Sequence, residues 1–254
     1  MVNGPSGLLT SLVRPEVDKT IVSFMRIRLI IFFLFSAGYF AQAQASASVD
    51  DGPDNINTLL VVGDSLSAGR GLELEDTWVT LLDNRLQQEG YGYKVVNASI
   101  SGDTTGNGRR RLSRALNIHQ PDIVIIELGG NDGLRGLPIE VMQKNLEQMI
   151  IMTQDLGALP ILAGIQIPPS YGEEYTTEFA AVYPALAEQY ETPLIPFFME
   201  NIVLDSSMMQ ADGIHPNETA QPILEANVWK ILSKALPTVS AGPAPPRAPQ
   251  ISAK

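Results

Sequence analysis

Cysteine is absent from the sequence. That excludes disulfides, cysteine-ligated zinc and thiol nucleophiles, without fixing the compartment. Histidine is scarce: only His119 and His215 occur, so chemistry that needs an imidazole near neutrality rests on one of two positions. Basic residues are outnumbered, 17 against 28 acidic ones, for a formal net charge of −11. The first 45 residues hold four of the bases (Arg14, Lys19, Arg26, Arg28) and only two acids (Glu16, Asp18), so the remainder is more acidic still. A body of that sign repels a phosphate backbone, and nucleic acid is not an expected partner. Long apolar runs are missing too. The best of them, Leu29 to Phe40, is short of the ~20 residues a spanning helix needs.

What is present is an ordinary globular balance, 44% hydrophobic and 18% charged over 254 residues, enough for one sizeable domain or two small ones. The N-terminus reads as a secretory signal peptide over residues 1–45, with Met25 a candidate start. Met25-Arg26-Ile27-Arg28 supplies a basic flank, Leu29 to Phe40 an apolar core, and Ala41 to Ala47 several small-x-small cleavage sites. An uncleaved anchor is the alternative. Export to the periplasm or medium follows from the first reading, with no stable membrane span once the signal is removed. Residues 46–57 read as a polar linker, and 237–254, with five prolines, as an unstructured Pro/Ala-rich tail. The folded body is then 58–236, one domain without internal repeats.

Within that body strand and helix patterns alternate. Strands are predicted at Leu59–Val62, Lys94–Asn97, Asp122–Leu128, Pro160–Ile167 and Pro193–Pro196. Helices are predicted at Asp76–Gln88, Thr105–Asn117, Pro138–Asp155, Thr176–Glu191 and Asn217–Leu236. Continuous apolar strands separated by amphipathic helices imply crossover units, a parallel sheet covered on both faces, and so a three-layer α/β domain.

Three predicted strands end in small polar clusters: Gly63-Asp64-Ser65, the run Asn97 to Thr104, and Gly129-Gly130-Asn131-Asp132. In a parallel sheet these ends share one edge, the edge where ligands bind. Serine is a weak nucleophile that needs a base. His119 precedes the third strand and falls on the opposite edge. His215 follows Asp212 by three residues, a spacing that can bring the carboxylate to the imidazole and leave the other ring nitrogen facing Ser65. Taken alone, the pair also reads as a turn residue and a histidine leading into a helix. An acyl transfer needs donors at the developing oxyanion, one side-chain donor being worth ~3–4 kcal/mol. The Ser65 amide, the Gly102 amide and the Asn131 side chain are the candidates, although plain turn chemistry accounts for Gly102 and Asn131 individually. Gly-x-Ser-x-Gly is absent, which excludes the α/β-hydrolase elbow and suggests a shallower, more open serine.

The four clusters together resemble the conserved blocks of the SGNH, or GDSL-type, hydrolases. Ser65, Gly102, Asn131 and His215 match the four letters in order, and SISGDTT, ELGGNDGLRG, PFFME and DGIHPN are similar to a branch of bacterial periplasmic thioesterases, lysophospholipases and arylesterases. The resemblance spans about Thr58 to Leu236. It implies a flavodoxin-like α/β/α sandwich with a five-stranded parallel sheet, working on acyl esters and thioesters through an acyl-serine. It implies no metal or organic cofactor and a small-molecule substrate, and we expect a monomer. By the same resemblance Ser65, Asp212 and His215 form the triad, and Ser65, Gly102 and Asn131 the oxyanion hole. A carbohydrate O-deacetylase on the same scaffold and a non-catalytic periplasmic binding module are the rival readings.

Remaining features are read locally. Arg109, Arg110, Arg111 and Arg114 form a basic run that fits either anionic headgroups near the mouth or, as the plainer reading, a solvated helix face paired with nearby acids. Asp64 and Asp132 are expected to brace turns. Leu134–Leu137 and Ile167–Tyr175 are loops suited to lining an acyl groove, the second stiffened by Pro168 and Pro169. Met208 and Met209 read as packing.

Overall fold

The computed structural model describes residues 56–237. The expected signal peptide, linker residues 46–55 and tail residues 238–254 lie outside the described residues. The first strand, β1, spans Asn57–Gly63, so Asn57 belongs to the sheet and not to the linker. It is followed by α1 (Trp78–Gln88), β2 (Tyr93–Asn97), α2 (Thr105–His119), β3 (Ile123–Glu127) and a short α3 (Gly130–Leu134). Next come α4 (Ile139–Asp155), β4 (Leu159–Ala163), α5 (Glu173–Gln189), β5 (Leu194–Ile195) and α6 (Gln221–Ala235).

All five strands are parallel, in the order β2-β1-β3-β4-β5. That order reverses direction at β1/β3, which opens a crevice at their carboxyl ends. Helices α1 and α6 pack together as one layer, and α2 with α4 and α4 with α5 as the other. The central strands are buried on both faces: Leu59 to Val62 and Val124 to Ile126 have no exposure. This is why they read as unbroken apolar runs and not as alternation.

Three local departures from the sequence reading have physical causes. β4 stops at Ala163, not Ile167, because its neighbour β5 offers only two residues and the Gly164 amide closes the pairing on Ile195. A Cβ on Gly164 would lie 2.4 Å from the Pro196 carbonyl oxygen, so the crossing there requires glycine. Asn131 sits on the one-turn helix α3, not in a plain turn. Helices α1 and α6 start later than their patterns suggest, each behind a 3₁₀ turn (Leu74–Asp76 and Glu218–Ala220). The Thr77 side chain caps α1 by accepting from Thr80 N–H.

Candidate active site

β1 delivers Gly63, Asp64 and Ser65 to the crevice. Gly63 is opposite Glu127 in the β1/β3 register, and a Cβ there would meet Glu127 Oε2 at 2.6 Å and Ser67 Oγ at 2.7 Å. The glycine of Gly-Asp-Ser is therefore a matter of space. Beyond it the chain turns helically, Ala68 N–H donating to the Asp64 carbonyl at 2.9 Å. Neither the Ser65 nor the Gly102 amide finds an acceptor among the described residues. Gly102 reaches its position with φ at 84°, a conformation that favours glycine.

Asp212 and His215 arrive together on the loop before α6. Met209 and Pro216 form an antiparallel bridge at its base, and Gln210 N–H donates to the His215 carbonyl at 2.7 Å. Gln210 Nε2 also donates to the Arg70 carbonyl at 2.8 Å, fastening this loop to the segment after Ser65. Asp212 Oδ1 accepts from the amides of Ile214 and His215 at 2.9 and 3.0 Å. Its Oδ2 lies 2.6 Å from His215 Nδ1, and His215 Nε2 lies 2.8 Å from Ser65 Oγ. Those hydrogen bonds, led by the His215 amide, hold the Asp212 carboxyl well below the usual range, so it is an acceptor only. Nδ1 then carries the ring proton and Nε2 is left to accept from Ser65. Ser65 and His215 are 9% and 7% exposed, whereas the Asp212 side chain is 38% exposed. The open site suggested by the sequence describes the aspartate; Ser65 itself is buried.

Asn131 Nδ2 donates to Asp64 Oδ2 at 2.9 Å, which ties α3 to the serine turn. Asp64 Oδ1 accepts from Leu66 N–H at 3.0 Å. Asp132 accepts from the Thr105 amide and hydroxyl at 2.8 and 2.6 Å, anchoring the start of α2 and with it the Gly102 loop. Both aspartates brace turns, as the sequence suggests. Burial pushes the Asp64 pKa up to about 6 and also raises that of Asp132.

The arginine run divides. Arg111 turns inward, donating to the carbonyls of Gly63 and Ala98 and pairing with Asp103 at 2.6 Å. It clamps the ends of β1 and β2 beside Gly102, which a solvated-face reading misses. Arg110 and Arg114 are exposed. His119 ends α2 on the opposite edge of the sheet, away from Ser65. Tyr171 and Tyr175 hydroxyls donate to the carbonyls of Leu134 and Leu137 at 3.0 and 3.2 Å, so the two loops singled out as a groove are fastened to each other. Met208 and Met209 pack against the core.

Two contributors escaped sequence reasoning. Glu127 is fully buried, accepts from Ser67 Oγ at 2.6 Å and from Asp64 N–H at 3.4 Å, and leaves Oε1 without a partner among the described residues. A lone acid inside DIVIIEL was the available signal. Gln210 carried none.

The GDSL-like lipase/acylhydrolase family profile matches residues 61–221. Esterase TesA of Pseudomonas aeruginosa (strain PAO1) is 52% identical over 179 residues, covering 70% of this chain and 89% of the relative. Thioesterase 1/protease 1/lysophospholipase L1 of Escherichia coli (strain K12) is 46% identical over 168 residues, 66% of this chain and 79% of the relative. Among solved structures, the psychrotrophic esterase EstA from Pseudoalteromonas sp., inhibited by monoethylphosphonate, aligns with TM-score 0.68 at 41% identity, covering 70% of this chain and 98% of that one.

Proposed function

Because the chain belongs to the GDSL-like lipase/acylhydrolase family, we propose that it is an exported esterase and thioesterase acting through an acyl-serine at Ser65. The observation that carries this is the unbroken relay Ser65 Oγ–His215–Asp212, with contacts of 2.8 and 2.6 Å. His215 Nε2 takes the Ser65 proton as Oγ attacks the acyl carbonyl carbon. The resulting imidazolium donates Nδ1–H to an Asp212 that stays ionised. The oxyanion accepts from the amides of Ser65 and Gly102 and from the Asn131 N–H that Asp64 does not use. As the tetrahedral intermediate collapses, Nε2–H protonates the leaving alcohol or thiol, which departs with its bonding pair. Water then attacks the acyl-serine, giving its proton to Nε2, and the acid leaves as Ser65 regains its hydrogen.

The substrate class rests on the relatives, one an esterase and another a thioesterase and lysophospholipase by name. Export rests on the three-part signal in residues 25–45. No helix among the described residues is long and apolar enough to cross a membrane. Hydrolysis of short p-nitrophenyl esters by the purified protein, with a Ser65→Ala variant, tests the chemistry. The variant is expected to keep its fold, lose about 10⁴-fold or more in kcat and resist labelling by a fluorophosphonate. Normal turnover in Ser65→Ala would remove the serine from the mechanism. A panel of acyl esters, thioesters, lysophospholipids and acetylated sugars then identifies the preferred acyl donor.

A further inference from the structure

An asparagine side chain presents a carbonyl oxygen on one side and an NH2 on the other, and the two are nearly equal in size. Turning the amide over costs little in packing, yet it decides whether a donor or an acceptor faces a neighbouring site. For Asn131 the wrong face would aim a carbonyl oxygen at a developing oxyanion. Something must therefore fix the amide, and among the described residues the side chain hydrogen-bonded to it is Asp64, whose Oδ2 receives Nδ2–H at 2.9 Å.

An ionised carboxylate enforces this choice, because it only accepts. Serine, asparagine or water in its place would tolerate either face. Asp64 is itself held rigidly. Its Oδ1 accepts from Leu66 N–H at 3.0 Å, and its own amide is directed at Glu127 Oε2 at 3.4 Å. It is 2% exposed, an expensive location for a carboxylate with no cationic side chain hydrogen-bonded to it among the described residues. Glu127, below it, is 0% exposed, with Oε2 engaged by Ser67 and Oε1 unpartnered. Burial and the neighbouring Asp64 raise the Glu127 pKa. His215 lowers and Asp103 raises the Asp64 pKa, and the buried Tyr183 hydroxyl is also within electrostatic reach of both acids.

We propose that Asp64 is a positioning residue of the hydrolytic reaction: it selects the orientation of the Asn131 amide in which the second N–H faces the oxyanion. The adjacent Glu127, which accepts from Ser67 and faces the Asp64 amide, forms the fixed floor beneath that aspartate. Because the two hydrogens of a planar amide diverge, pinning one on Asp64 aims the other. The inference rests on the esterase reading above, and the test separates the two.

The experiment is a double-mutant cycle on p-nitrophenyl butyrate, with kcat and KM measured for wild type, Asp64→Ala, Asn131→Ala and the double variant. If Asp64 acts through Asn131, Asp64→Ala lowers kcat about 10- to 100-fold with KM little changed, bounded by the ~10²–10³-fold cost of removing one oxyanion donor. In the Asn131→Ala background the same substitution then has no further effect on kcat. A residue that only supports the fold gives losses that multiply in the double variant, and that result overturns the proposal, as does full kcat in Asp64→Ala. Asp64→Asn is carried through the same cycle so that the outcome survives poor folding of the alanine variant. Its amide accepts or donates, so it is expected to lose several-fold in kcat, again only when Asn131 is present. A wild-type protein without turnover would overturn the esterase reading itself, an outcome distinct from an active wild type with a multiplicative cycle.

Discussion

Arg111 illustrates how much one side chain can hold. Its guanidinium reaches the carbonyl ends of β1 and the turn after β2 and pairs with Asp103, one residue from Gly102. Three acceptors converge on one planar donor set, a use for which lysine is a poor substitute. Arg114, three residues on, is exposed with no such partner among the described residues. Arg111→Ala is therefore expected to cost about 2–3 kcal/mol in urea denaturation, and Arg114→Ala less than about 0.5 kcal/mol. Equal effects would return Arg111 to the surface.

At the level of elements, the loops flanking the crevice behave as one unit. Pro169–Tyr171 forms a 3₁₀ turn, and Tyr171 and Tyr175 fasten it and the start of α5 to the loop after α3. Pro169→Gly adds backbone freedom to that turn. It is expected to shift the acyl-length profile several-fold in kcat/KM toward longer chains in a series of p-nitrophenyl esters, and an unchanged profile would show that the turn does not gauge the chain. The sheet was legible in the sequence because strands buried on both faces leave continuous apolar runs, as at Leu59–Val62. The end of β4 was not, because Ile165 and Ile167 are buried by loop packing and carry the same apolar signal as strand residues. Ser65, Gly102, Asn131 and His215 stood out through their motif blocks. Glu127 showed only as a lone acid in an apolar run, because its partners Ser67 and the Asp64 amide reach it across the sheet through the β1/β3 register.

For the molecule as a whole, the buried acids set a pH dependence with a definite sign. A carboxyl whose folded-state pKa is raised contributes stability fully below its unfolded value and loses it as pH climbs through the folded value. Asp64, raised from 3.8 to about 6, gives up its share across that window, and Glu127, raised well above 4.5 by burial, does so from about 4.5 upward. Glu127→Gln mimics the neutral acid and does not titrate. Its Tm is expected to rise relative to wild type between pH 4.5 and 8, while a relative fall would mean that Glu127 is stabilising as an anion. The loop that carries Asp212 and His215 has a different consequence. Asp212 and His215 lie within four consecutive residues, closed by the Met209–Pro216 bridge and fastened beside Ser65 by Gln210. Their mutual alignment is thus set within one short loop, so the connection from β5 to Met209 can vary in length without disturbing how Asp212 and His215 meet.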